Sequence, residues 1–187
     1  MKGHLASQKR TKAAHDPNLL VAIQHKVAIS ALPASALRGQ RAPGLISIAR
    51  EACEHLPLGQ FGVASGKVFA ERLDRYTAEM LAAFPRKARH WGVARKALNL
   101  FLRDAYYNQF LAAKYNLNRA AAHFELPLDS KTAAKLHEEE DGHLPAWRGV
   151  KYLTAAQSAE YQLAATDLAL DYDCHRVHLD AHIWPQQ

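Results

Sequence analysis

Two side chains 33 positions apart, Lys96 and Asp129, stand where side-chain chemistry is possible. A lysine is a nucleophile only when its amine is neutral, and its attack on an electrophilic carbon leads to a Schiff base. Lys96 falls at the start of a strongly helical segment. The helix N-terminus, the neighbouring Arg95 and Arg103, and partial burial all favour the neutral amine there. Asp129 belongs to Pro127-Leu128-Asp129-Ser130, just before another helical pattern. A capping aspartate is rigidly held. A fixed carboxylate can stabilise developing positive charge or activate an incoming nucleophile.

The elements that must position these groups are helices. At about 100° per residue, the helix expected over 92–114 carries Ala97, Leu98, Phe101, Leu102 and Ala105 on one apolar face. Lys96, Leu100, Arg103 and Tyr107 lie on the opposite face. Asp16-Pro17 is a cap with proline at the first helical position, opening a helix to about Ala31. Further helices are expected over about 44–55, over 63–83 up to Pro85, and after Ser130 as far as the acidic run 138–141. Thr154 and Gln157 have capping-box form and open a helix to about Leu170, and a short one is expected over 177–184. Period-2 alternation and hairpin dipeptides are missing, so the fold class is all-α.

The chain has 187 residues, 49% of them apolar, which excludes a disordered protein. Two cysteines, Cys53 and Cys174, are too few for an iron–sulfur cluster or a disulfide scaffold. No apolar run approaches the roughly 20 residues of a membrane span. Residues 1–15 carry Lys2, Lys9, Arg10 and Lys12 without the apolar core of a secretory signal. A basic flexible tail ahead of a single domain over 16–187, in the cytoplasm, is the expectation. The net charge is +6 and the pI near 9.4. Between Glu79 and Asp104 no acid occurs, while Arg86, Lys87, Arg89, Arg95, Lys96 and Arg103 do. Such clusters attract phosphate backbones.

Gly92-Val93-Ala94-Arg95-Lys96-Ala97-Leu98-Asn99 resembles the second half of the helix–hairpin–helix motif of DNA glycosylases similar to endonuclease III. In that family a lysine at the position of Lys96 is the nucleophile of the bifunctional members, and an essential aspartate precedes a helix, as Asp129 does here. The 33-position spacing, Tyr106-Tyr107, and the ending Val177-His178-Leu179-Asp180-Ala181-His182-Ile183-Trp184 are most similar to the archaeal 8-oxoguanine glycosylase branch. The likeness covers about residues 81–184. Two departures stand out: His90-Trp91-Gly92 replaces the usual Leu-Pro-Gly, and Ala94 replaces the second hairpin glycine.

The resemblance implies a compact two-lobed helical enzyme with a cleft, acting without metal or cofactor on double-stranded DNA as a monomer. It would flip out and excise a modified base, with a possible lyase step. The base is either an oxidised purine such as 8-oxoguanine or the glucosylated hydroxymethylcytosine of phage DNA, the latter in antiviral defence. Lys96 and Asp129 would be catalytic. Arg89, Trp91, Gly92, Arg95 and Arg103 would contact DNA, and Tyr106, Tyr107 and Asp180 would line the base pocket. Gln60-Phe61 reads as an ordinary loop with one buried Phe rather than a wedge. Cys174, His175, His178, Asp180 and His182 lack the paired motif of a zinc site, and His25, His55 and His123 read as structural. Two other classes stay open: a non-catalytic DNA-binding module using the hairpin for phosphate contacts, and a helical interaction protein with a basic face.

Overall fold

The Asp16 carboxylate accepts from the Asn18 amide at 2.9 Å, and Pro17 fills the first helical position, so the first helix runs Pro17–Ala31 (α1). The computed structural model describes residues 16–183; the basic tail over 1–15 and Trp184 lie outside them. The remaining helices are α2 (Leu45–Glu54), α3 (Gly66–Ala83), α4 (Trp91–Tyr107), α5 (Gln109–Tyr115), α6 (Ser130–Glu139), α7 (Ala155–Asp171) and α8 (Leu179–Ile183). The described residues include no strand, so the fold is all-α.

Three boundaries differ from the sequence expectation, each for a local reason. Ser65 caps α3 through the Val68 amide, so residues 63–65 stay outside the helix. The helix expected over 92–114 breaks at Asn108. Its side chain accepts from the Phe110 and Leu111 amides, its backbone is extended, and a new helix starts there. The cap of α6 is Asp129, with Ser130 as first helical residue. The capping box at Thr154 and Gln157 forms as read.

Buried apolar side chains gather in two clusters. The larger is built from α1 to α5 and includes Phe61, Phe69, Phe101 and Phe124; the smaller joins Leu126 and Leu128 to α6, α7 and Leu179. Helix α4 sits at the junction. Ten of its residues are buried, mostly in the larger cluster, while Trp91 packs against the smaller. Gly92 is part of that junction. A Cβ there would lie 2.2 Å from the Val150 carbonyl oxygen and 2.7 Å from Leu153 Cβ, so only glycine lets the 150–153 segment seat on the helix.

Candidate active site

The segment that delivers Asp129 is extended and clamped from two sides. Gln162 of α7 accepts from the Leu126 amide at 2.9 Å and donates to its carbonyl at 2.8 Å, in the manner of a neighbouring strand. Arg176 donates to the carbonyls of His123 and Phe124. From α4, Asn99 donates to Glu125 at 2.8 Å. These contacts tie the approach of Asp129 to the helix that carries Lys96.

The two oxygens of Asp129 divide their work. Oδ1 accepts from the amides of Lys131 (2.9 Å) and Thr132 (3.1 Å), while the Asp129 amide donates to Thr132 Oγ1 at 2.8 Å. Oδ2 is left facing Lys96, whose Nζ lies 3.7 Å away. Their side chains are 14% and 26% exposed, so both are partly desolvated. Burial holds the Lys96 pKa below the ordinary lysine value. Asp129 and Asp180 oppose that shift, and Arg103 adds to it. The helix starts at Trp91, which places Lys96 in its second turn, where the N-terminal field has faded.

Lys96 and Asp129 open onto a cavity of about 1050 Å³. Leu100, Arg103 and Tyr107, the face of α4 that carries Lys96, form one wall, the turn after α1 another, and residues 147–152 a third. This is at the upper end of small-molecule sites. Its charges are sorted by depth. Asp104, Asp129 and Asp180 surround Lys96 and Arg103 in the interior, and the exposed Arg38, Lys131, Arg148 and Lys151 line the outer part.

Of the residues expected at the site, Arg103 and Asp180 pair with each other on the cavity wall, and Arg103 also binds Asp104 at 2.8 Å. Tyr107 lines the cavity, stacks on His178, and has its hydroxyl 3.2 Å from the Val177 carbonyl. Burial pushes that hydroxyl up to about 12, so it stays protonated. Tyr106 turns away and stacks on Phe124 of the core. Arg95 is buried, bonded to Thr77 (2.9 Å) and Asp74 (2.7 Å), with Nε 3.0 Å from Glu125 as an ion pair not aligned for a hydrogen bond. It offers nothing to a phosphate. Gly92 is sealed under Val150, and Trp91 packs beside Arg95. Arg89 is exposed, yet its Nε donates to the Phe84 carbonyl at the end of α3. Gly92 and Arg95, both expected to contact DNA, are thus engaged in packing and in an internal ion network.

Phe61 is fully buried against Phe69, and Gln60 is held by Arg72 and Arg75, so that loop is ordinary. Among the described residues no group of three His, Cys, Asp or Glu side chains is disposed to hold a metal. His25 pairs with Glu54 at 2.8 Å, His123 lies 2.9 Å from the Ala64 carbonyl, and His55 is exposed just past the end of α2. Sequence reasoning missed the 147–152 wall. Its visible signal was Trp147-Arg148-Gly149-Val150-Lys151-Tyr152, two cations and two aromatics around a glycine. No helix among the described residues is long and apolar enough to cross a membrane. Compared with protein families, with curated proteins and with solved structures, the chain finds no match in any of the three.

Proposed function

We propose that this protein is a monomeric, lysine-dependent DNA glycosylase that takes a flipped, modified base into the cavity beside Lys96. In this reading α3, the 84–90 connection and α4 form the hairpin frame, and the cavity is a cleft between two lobes. The observation that carries it is the partly buried Lys96 amine 3.7 Å from an Asp129 oxygen that the helix cap leaves unused. A titratable group whose pKa is displaced by burial and by a specific charge partner in a cleft is a candidate functional group.

The chemistry follows from those two groups. The neutral Lys96 amine forms a bond to the sugar C1′ as the bond to the base breaks, and the electron pair leaves on the base nitrogen, which takes up a proton. The new ammonium passes a proton to Asp129, whose charge also stabilises the cationic sugar. Sugar-ring opening gives a Schiff base. Water then releases the amine and leaves an abasic site, or elimination breaks the strand. The cavity volume accommodates an oxidised purine and a glucosylated hydroxymethylcytosine alike, so repair and antiviral defence divide on substrate.

The test is to incubate the protein with duplexes carrying each base, assay abasic sites and strand breaks, and trap adducts with borohydride. Release of one base, a trapped adduct, and loss of both in Lys96→Ala are expected. Full activity in Lys96→Ala overturns the nucleophile, and full activity in Asp129→Asn overturns the family reading. A salt-dependent complex without base release favours the DNA-binding module.

A further inference from the structure

The wall formed by residues 147–152 is fixed at both ends and cationic in the middle. Trp147 donates from Nε1 to Ser130 Oγ at 3.2 Å and packs edge-on against Tyr161, whose hydroxyl in turn donates to the Pro145 carbonyl at 2.7 Å. At the other end Val150 seats on Gly92 and Leu153 is buried. Between these anchors Gly149 takes φ 102, which favours glycine, and Val150–Tyr152 closes one helical turn.

What the middle presents is specific. Tyr152 is 53% exposed, and both cations gather on its ring: the Arg148 guanidinium carbon lies 5.5 Å and Lys151 Nζ 4.6 Å from the centroid. Neither cation has a carboxylate partner among the described residues, in contrast to Arg103 and Arg95. A shared ring keeps the two charges within about 10 Å of each other. That span reaches the two phosphates that flank one nucleotide of a strand. The same segment closes over Gly92, the position from which a hairpin backbone would otherwise approach phosphate.

We infer that the 147–152 strap is the phosphodiester clamp of this site. Arg148 and Lys151 hold the backbone on either side of the flipped nucleotide, and Tyr152 holds the two cations in register. The strap takes over the phosphate contact that its own seating denies to the hairpin. This rests on the reading of the protein as a DNA enzyme, and binding is measured separately from base release so that the two fail separately.

The experiment measures affinity of the full chain for an unmodified duplex, and for one carrying a tetrahydrofuran abasic analogue, between 50 and 200 mM salt. Losing two phosphate contacts flattens the log–log salt slope by about 1.8. The affinity ratio of wild type to R148A/K151A therefore falls by about tenfold across that range. Tyr152→Ala loses part of the same slope, and Tyr152→Phe keeps it. Wild-type affinity and slope in R148A/K151A overturn the clamp, as does a slope lost in R86A/K87A instead. If the strap carries the slope but no base is released from any duplex, the clamp stands and the glycosylase reading falls. If the wild-type protein binds neither duplex, both fall.

Discussion

Replacing Gly92 by alanine separates two roles that one glycine can have. In a phosphate-binding hairpin, glycine lets a backbone amide approach the ligand, and alanine would cost affinity while sparing the fold. Here the added Cβ would stand 2.2 Å from the Val150 carbonyl oxygen and 2.7 Å from Leu153 Cβ. Ordinary carbon contacts are about 3.5–4.0 Å, so the strap must lift by more than 1 Å or α4 must shift. Overpacking of this kind costs about 3 kcal/mol at its upper end. Alanine returns up to about 1 kcal/mol of helix propensity, leaving a net loss of about 2 kcal/mol. For a chain of this size that lowers Tm by about 4–8 °C. Gly62→Ala is the matched control. Its Cβ would meet the Tyr115 carbonyl oxygen at 1.9 Å, and Gly62 does not line the cavity. Gly59→Ala meets only a side-chain carbon at 3.5 Å and should melt with wild type. Thermal unfolding followed by circular dichroism gives the stabilities, and duplex affinity is read well below each Tm. Gly92→Ala and Gly62→Ala should both melt early, with only Gly92→Ala losing affinity beyond its unfolded fraction. A Gly92→Ala protein that melts with wild type refutes the packing role and returns the glycine to the hairpin.

Further outcomes follow from the same geometry. Asp129→Ala should lose about 1 kcal/mol with the cap, whereas Asp129→Asn keeps an oxygen for the Lys131 and Thr132 amides and loses base release with little stability; urea denaturation beside a single-turnover assay separates the two. Arg95→Ala should cost about 3 kcal/mol, because it strips a buried cation from Glu125 and Asp74. Its duplex affinity per folded molecule should match wild type, and a selective loss of affinity would restore Arg95 as a DNA contact. The rate should climb with pH and level off below the ordinary lysine range, since the Lys96 pKa is lowered by burial. Asp180 raises that pKa, so Asp180→Asn should move the rising limb to lower pH. Stability has a matching sign. Between the lowered folded pKa and the ordinary one the unfolded chain binds more protons, so the Lys96 contribution to stability rises with pH. Lys96→Met should abolish that slope in denaturation series.

What could be read from the sequence was what local rules decide. Asp16-Pro17 and the Thr154–Gln157 box each involve residues within four positions, and each formed, while the cap of α6 falls one residue earlier than expected, on Asp129 in the place of Ser130. The face Lys96–Leu100–Arg103–Tyr107 follows from helical periodicity alone, and it is the face that lines the cavity. Periodicity also misled. The apolar pattern continues through Asn108, and only the preference of asparagine for a cap signalled the break. Arg95 looked like one more member of a basic cluster because its partners Asp74, Thr77 and Glu125 lie 18 to 30 positions away. Gly92 looked like a hairpin glycine because the segment that covers it comes more than 50 positions later. The cavity needs α1, α4, α6, α8 and the strap together, and no spacing rule connects those.

The sorting of charge by depth narrows the chemistry more than the lysine does. Lys96 and Arg103 inside the cavity are outnumbered by Asp104, Asp129 and Asp180, while the outer part is cationic. A simple anion-binding pocket would place its cations deepest, with the carboxylates elsewhere. A pocket for a cationic ligand would not ring itself with Arg38, Arg148 and Lys151. The arrangement suits a ligand that is anionic outside and becomes positive inside. A nucleotide losing its base does this, because its phosphates stay at the rim while the sugar gains charge beside the carboxylates. The same logic accounts for keeping a lysine where it is expensive. An ammonium buried on α4 weakens the fold at neutral pH, and methionine of similar length would fill the space without that penalty. The excess of interior carboxylate keeps the cost bounded, and burial keeps the amine easier to deprotonate than a surface lysine. A group held between those two pressures suits a nucleophile that must be neutral to attack and charged to leave.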